Sequence, residues 1–79
     1  MLSMDLVKKI EALAFEQLEG MTEYKIAKEL GRSQSSYILL RDENKDIKLK
    51  DIKALEKLAK KAGMSSAAFW RLVRDEGEE

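Results

Sequence analysis

The placement of glycine divides this chain into short helical segments. Gly20, Gly31 and Gly63 each follow a stretch in which apolar residues recur at three- and four-residue steps. Glycine ends a helix without steric penalty because it adopts the left-handed conformation freely, and the chain contains no proline. Serine, threonine or aspartate stands at the start of every apolar segment. Together these signals predict an all-α fold of five short helices.

The first three helices have the clearest predicted limits. Residues 4–19 form the predicted first helix, with Ser3 as its cap. Thr22 caps the second helix. Ser33 caps the third, which lasts until a polar stretch begins at Arg41.

The second half of the chain predicts two more helices after a loop. Residues 41–50 are polar and charged, with Asn44 as the turn residue. The alternation in DIKLKDI leaves a short strand open as an alternative. Asp51 is the predicted cap of the fourth helix, and Ser65 or Ser66 begins the fifth.

The apolar residues on the inner side of these helices define the predicted core. Their spacing places them on one face of each amphipathic helix. They are Leu6, Ile10, Leu13, Ala14, Leu18, Ile26, Ala27, Leu30, Tyr37, Leu40, Ile52, Leu55, Leu58, Ala59, Ala62, Phe69, Leu72 and Val73. A single domain over residues 1–74 is expected, followed by a disordered acidic tail at 75–79.

The composition argues against an enzyme. Histidine and cysteine are absent, which removes the commonest general base, the commonest metal ligands and every familiar catalytic triad. No cofactor, metal or small-molecule substrate is expected. One alternative stays open, an enzyme fragment that uses clustered carboxylates such as Asp42, Glu43 and Asp46. A solvated loop explains this triplet more simply, although it could bind a divalent cation weakly. Short apolar runs and the lack of a signal-peptide pattern predict a cytoplasmic protein without membrane spans.

Charge is distributed unevenly along a chain whose net charge is zero. Residues 1–24 carry −3, residues 25–61 carry +5 and residues 62–79 carry −2. A basic segment of this kind suits a phosphate-binding surface. Taken alone, the charge is explained more simply by solvated lysine and glutamate helix faces.

Only Gly31, Arg32 and Ser33 separate the second helix from the third. In the helix-turn-helix motif, a short connection that contains glycine sets two helices at roughly 90–120°. The segments IAKELG and SQSSYILL, followed by DIKALEKLAKKAGMS, resemble the lambda-repressor-like family of phage and bacterial regulators, which includes the Cro proteins. The resemblance covers about residues 22–70 and places the helix-turn-helix at about residues 22–41. It implies a five-helix domain that binds duplex DNA through its third helix, as a transcriptional repressor.

Three features depart from the family pattern. Arg32 occupies a place that is usually apolar, so the turn packs differently there or offers a phosphate contact. Glu23 stands where family members often carry a glutamine that contacts phosphate, and a carboxylate repels phosphate. The glycine that usually follows the third helix is missing from RDENKD.

The resemblance also predicts base contacts at the start and on the outer face of the third helix. These candidates are Ser33, Gln34, Ser35, Ile38 and Leu39. Glutamine pairs with adenine through two hydrogen bonds, and serine bonds to several base edges. Ile38 and Leu39 contact thymine methyl groups in this interpretation, but apolar residues on a short helix more often serve core packing or a protein interface than base readout.

Five basic residues around the third helix are candidate phosphate contacts, which fix register without reading sequence. They are Lys25, Arg32, Arg41, Lys45 and Lys48. The lysines of the fourth helix at positions 57, 60 and 61 are instead assigned to solubility.

Trp70 is a candidate homodimer contact, because one member of the Phe69–Trp70 pair is expected in the core and the other at the surface. A dimer would match two half-sites about one helical turn apart. Folding of Trp70 onto the first helix is the alternative. A different function also stays open, that of a small interaction module such as an antitoxin-type partner, in which Ile38, Leu39 and Trp70 meet another protein.

Overall fold

The computed structural model describes residues 5–43 and 47–77, and its regular secondary structure is entirely helical. The predicted all-α fold of five helices is therefore confirmed. The helices are α1 (Asp5–Gln17), α2 (Glu23–Glu29), α3 (Gln34–Glu43), α4 (Leu49–Lys61) and α5 (Ser66–Gly77). No helix in the described ranges is long and apolar enough to cross a membrane.

Capping side chains explain where α2, α3 and α5 begin. Thr22 Oγ1 accepts a hydrogen bond from the Lys25 N–H at 3.2 Å. Ser33 and Ser65 cap α3 and α5 in the same way, each accepting the N–H of the residue three positions later. Each cap satisfies an amide group that the first helical turn leaves unpaired. These three predictions are confirmed, whereas Ser3 lies outside the described residues.

The start of α4 corrects a prediction. The helix begins at Leu49, earlier than expected, and Lys48 rather than Asp51 is its cap residue. Asp51 lies in the first turn, where its Oδ2 accepts the Lys48 N–H at 2.9 Å. An acidic residue at this position reaches back to the cap residue, as in one half of a capping box. Aspartate suits both positions, and the prediction chose the wrong one.

The predicted loop at residues 41–50 is wrong at both ends. α3 continues through Glu43, and α4 has already begun at Leu49. The described part of DIKLKDI contains no strand, because its first residues are irregular and the rest are helical. Asn44 lies outside the described residues.

The core forms where the inner faces of the helices meet around α1, which packs against α3, α4 and α5. The buried apolar residues are Leu6, Val7, Ile10, Ala14, Ile26, Ala27, Leu30, Tyr37, Leu40, Leu55, Leu58, Ala59, Ala62 and Phe69. Burial of one large apolar side chain stabilises the fold by about 1.5–3 kcal/mol. The other predicted core residues are only partly buried; they are Leu13, Leu18, Ile52, Leu72 and Val73.

The last helix extends past residue 74, where the domain was expected to end. α5 ends at Gly77, so the backbone of residues 75–77 is helical. Asp75 is exposed. Residues 78–79 lie outside the described range.

Candidate nucleic-acid interface on the third helix

The turn between α2 and α3 is a tight helix ending. Gly31 has a φ of +71°, in the left-handed region that disfavours residues with a β-carbon. Its N–H donates to the Lys28 carbonyl at 3.0 Å, and the Arg32 N–H donates to the Ala27 carbonyl at 2.9 Å. This pair of bonds is a Schellman motif, which satisfies the last carbonyls of a helix. It ends α2, and the four residues 30–33 connect α2 to α3.

A buried ion pair fixes this turn to the start of α4. Arg32 Nε donates to Asp51 Oδ1 at 3.0 Å, and Arg32 Nη2 donates to Asp51 Oδ2 at 2.7 Å. Arg32 Nη1 also donates to Ser36 Oγ at 2.8 Å, in the first turn of α3. The Arg32 side chain is only 14% exposed and that of Asp51 is fully buried. Arg32 thus connects α3 and α4, and its guanidinium is already occupied within the chain.

The same contacts set the ionisation of Asp51. Burial acts to raise its pKa, because burial disfavours a charged carboxylate. The hydrogen bonds from Arg32 and from the Lys48 N–H, with the positive charge of Arg32, outweigh burial and hold the pKa of Asp51 below its ordinary value. Asp51 is therefore a carboxylate at neutral pH.

The predicted base-contacting residues lie in two different environments. Ser33, Gln34 and Ser35 are all exposed at the N-terminal end of α3. Leu39 is also exposed, at 48% of its surface. Ile38 is only partly buried and packs against the core. Gln34 Nε2 donates a long hydrogen bond of 3.5 Å to Glu23 Oε1. The first turn of α3 and Leu39 are thus exposed at the surface, whereas Ile38 belongs in part to the core.

A cluster of charged side chains holds the C-terminal half of α3. Arg41 donates hydrogen bonds to Glu11 at 3.1 Å and to Asp42 at 2.8 Å, and it also pairs with Glu23. The Tyr37 hydroxyl donates to Glu11 Oε2 at 2.7 Å. Burial, followed by this bond to Glu11, raises the pKa of Tyr37, so the hydroxyl keeps its proton. The Arg41 side chain is 16% exposed, and three carboxylates already surround it.

Two of the predicted phosphate-contacting lysines are more exposed than the two arginines. Lys48 is exposed at the start of α4. Lys25 is exposed as well, although its Nζ donates to the Gly20 carbonyl at 2.9 Å. Lys45 lies outside the described residues. Of the five predicted phosphate contacts, the two arginines are held by carboxylates and the two described lysines are exposed.

Trp70 is 40% exposed, while its neighbour Phe69 is fully buried. The two rings meet edge to face with centroids 5.4 Å apart. The Trp70 Nε1–H donates to Glu56 Oε2 at 2.6 Å, which places the indole against α4. The described contacts therefore give the indole a neighbour on α4, and part of its surface is still open.

Among the described residues, no group of three or more carboxylate, histidine or cysteine side chains could hold a metal ion, which bears on the alternative cation site at Asp42, Glu43 and Asp46. Asp42 accepts hydrogen bonds from Arg41. Glu43 lies in the last turn of α3. Asp46 lies outside the described range.

Sequence reasoning missed the two ion-pair clusters around Arg32 and Arg41. Arg32 and Asp51 are 19 positions apart, and Arg41 and Glu11 are 30 apart. No periodic pattern links residues so distant in sequence. The one available signal was the charged residue at position 32, where the resemblance implies an apolar one.

Comparison with known proteins finds no protein-family model, no curated protein and no solved structure that matches this chain. The resemblance to the lambda-repressor-like family rests on its sequence motifs alone. The function of the protein is therefore inferred from the geometry and charge of the described residues.

Proposed function

We propose that this protein binds duplex DNA through the first turn of α3 and represses transcription by occupying an operator. The observation that carries the proposal is the run of exposed polar side chains at Ser33, Gln34 and Ser35, at the end of a helix whose opposite face is buried. In a helix-turn-helix, the N-terminal residues of the second helix contact base edges in the major groove. Glutamine and serine are both suited to such contacts.

The rigidity of the turn supports this proposal. Arg32 is bonded both to Ser36 in α3 and to Asp51 in α4, and Tyr37 and Leu40 anchor α3 in the core. A recognition helix has to hold its side chains in a fixed orientation, because base-edge hydrogen bonds tolerate little displacement. The contacts of Arg32 with Ser36 and Asp51 hold the start of α3 in a fixed orientation relative to α4.

The net charge of the segment that contains α2 and α3 favours a second candidate, a protein–protein interaction module of the antitoxin-partner type. Residues 23–43 carry four basic and four acidic side chains, so this segment is neutral. Leu39 is exposed, and Asp42, one turn later, is also exposed. An exposed leucine beside a carboxylate suits a protein partner better than phosphate. Ile38 weakens this candidate because it packs against the core instead of extending the exposed patch.

Fluorescence anisotropy against a pool of random DNA duplexes, over a salt series, tests the first proposal. We expect the logarithm of the affinity to fall linearly with the logarithm of the salt concentration, as phosphate neutralisation requires. Tight-binding sequences selected from the pool then provide the operator. Gln34→Ala is expected to weaken operator binding roughly 5- to 150-fold, because removing a bidentate base pairing costs about 1–3 kcal/mol.

Gln17→Ala is the matched control, because Gln17 is an exposed glutamine on α1. It should bind the operator like the unmodified protein. Absence of binding even at low salt would overturn the DNA proposal. A pull-down that compares the unmodified protein with Leu39→Lys would then test the protein-partner candidate, which requires that the substitution abolish capture.

A further inference from the structure

The outer face of α4 is lined by lysine. Five exposed lysines occupy positions i, i+3, i+7, i+10 and i+11 of this helix, and we call them the lysine face. They are Lys50, Lys53, Lys57, Lys60 and Lys61. With 3.6 residues per turn, this spacing places all five on one side of the helix, over a length of about 16 Å. The buried residues Leu55, Leu58 and Ala59 lie on the opposite side.

Few carboxylates offset this charge. α4 contains only Asp51, which is buried, and Glu56, which accepts the Trp70 N–H. Lys61 Nζ pairs with Glu29 of α2 at 2.7 Å. That hydrogen bond is the main reason why the pKa of Glu29 is lowered, and the charges of Lys61 and Lys57 act in the same direction. Among the described contacts, the lysine face therefore carries an excess of positive charge.

The lysine face extends onto α2 at its C-terminal end. Lys61 lines a surface cleft of about 280 Å³ together with Met21, Lys25, Lys28 and Glu29. Three lysines and one glutamate thus surround this cleft. At the other end, Lys50 adjoins Asp51, which is bonded to the turn before α3. The lysine face therefore starts in the same turn of α4 that Arg32 contacts through Asp51 and continues along α4 to α2.

We propose that the lysine face carries the phosphate contacts of bound nucleic acid, in place of Arg32 and Arg41. Both arginines are mostly buried and paired with carboxylates, whereas all five lysines are exposed, although Lys61 pairs with Glu29. The choice of duplex DNA as the polyanion rests on the proposed function. Phosphate contacts need only positive charge along the backbone, and a row of lysines supplies it without selecting a sequence.

The chemistry of α4 favours a regular polyanion over a membrane surface. An amphipathic helix that lies on a bilayer inserts its apolar face among the lipids. Leu55, Leu58 and Ala59 are already buried in the core, and Leu49 at the start of α4 is the one large apolar side chain of this helix that is exposed, so α4 has no continuous apolar face to insert. Duplex DNA presents one phosphate per 3.4 Å of axis on each strand, a repeat that a lysine face about 16 Å long can follow.

The salt dependence of binding to random duplex DNA tests this inference. Removal of one phosphate contact should reduce the magnitude of the slope of log affinity against log salt by about 0.9. Lys53→Gln with Lys57→Gln removes two charges from the lysine face and is expected to reduce it by about 1.8. Lys8→Gln with Arg71→Gln removes the same charge from exposed positions on α1 and α5, and should change the slope much less. Far-UV circular dichroism establishes that both variants keep their helices.

The outcomes separate this inference from the proposed function. An equal slope change in the two double variants would overturn the lysine face as the phosphate site, while loss of operator preference in Gln34→Ala would still support reading by α3. A smaller slope only in Lys53→Gln with Lys57→Gln, with no effect of Gln34→Ala, would support the lysine face and overturn the role of α3. No binding by the unmodified protein would overturn both.

Discussion

Arg32 and Asp51 form a two-point contact, Nε to Oδ1 at 3.0 Å and Nη2 to Oδ2 at 2.7 Å, between the turn before α3 and the first turn of α4. The geometry is bidentate, the strongest form of arginine–carboxylate pairing. Asp51 simultaneously accepts the Lys48 N–H. One buried carboxylate therefore both starts α4 and holds the turn that orients α3.

Arg32→Ala should destabilise the fold by about 3–5 kcal/mol, because loss of one partner leaves the other charge buried without compensation. Urea unfolding followed by circular dichroism measures the free energy of unfolding. Arg71→Ala is the control, since Arg71 is exposed on α5, and it should cost less than about 0.5 kcal/mol. Equal effects of the two substitutions would contradict an energetic role for the buried pair.

The stability of the protein should depend on the ionisation of Asp51 in acid. Its pKa is lowered in the folded protein, relative to about 3.9 in an unfolded chain. The folded state therefore binds this proton less readily, and the stabilisation is fully present above about pH 5. It is lost as the pH falls below about 4 and through the folded-state pKa.

Asp51→Asn tests this pH dependence, because asparagine does not titrate. At pH 7 the variant should be less stable than the unmodified protein. The difference in unfolding free energy, measured in urea, should shrink as the pH is lowered from 5 to about 2.5. A difference in unfolding free energy that stays constant over this pH interval would mean that protonation of Asp51 does not affect the stability of the fold.

Gly31→Ala should destabilise the fold through the backbone alone. Gly31 has a φ of +71°, and a β-carbon at this position would meet no atom of residues other than its two chain neighbours within 4 Å. The expected cost is about 1–2 kcal/mol, the strain of a left-handed residue with a β-carbon. Gly31→Asn should cost less, since asparagine tolerates this conformation better. Thermal unfolding of both variants provides the comparison, and a neutral Gly31→Ala would contradict the strain argument.

Trp70 is the predicted homodimer contact, and its exposed surface allows a direct test. Sedimentation equilibrium should give a mass that rises with protein concentration, and Trp70→Ala should abolish the rise. Phe15→Ala is the matched control, because Phe15 on α1 is 45% exposed, close to the 40% of Trp70. A monomeric mass for the unmodified protein at all concentrations would rule out this contact.

Features that depend on neighbours in sequence were predictable, and those that depend on distant contacts were not. Thr22, Ser33 and Ser65 were identified as caps because each bonds to an amide three positions away. The prediction of Asp51 as the cap of α4 was wrong, because aspartate is favoured both at the cap position and within the first turn of a helix. Its pairing with Arg32 spans 19 positions and has no local signature.

The candidate site divides in the same way. The inward positions of Tyr37 and Leu40 followed from helical periodicity, as did the exposure of Gln34 and Ser35. The ion pair between Arg41 and Glu11 did not, because Glu11 belongs to a different helix. The charge sum over residues 25–61 correctly indicated a basic segment, but only the fold separates its paired arginines from its exposed lysines.

The contact between Trp70 and Glu56 gives the protein an internal optical reporter. Trp70 is the only tryptophan in the chain, and its indole N–H joins α5 to α4. Its fluorescence therefore follows the docking of these two helices, on elements separate from the first turn of α3. Emission that changes when DNA is added would show that binding alters the contact between α4 and α5, as expected if phosphates meet the lysine face of α4. Unchanged emission would show that this contact stays intact when DNA binds.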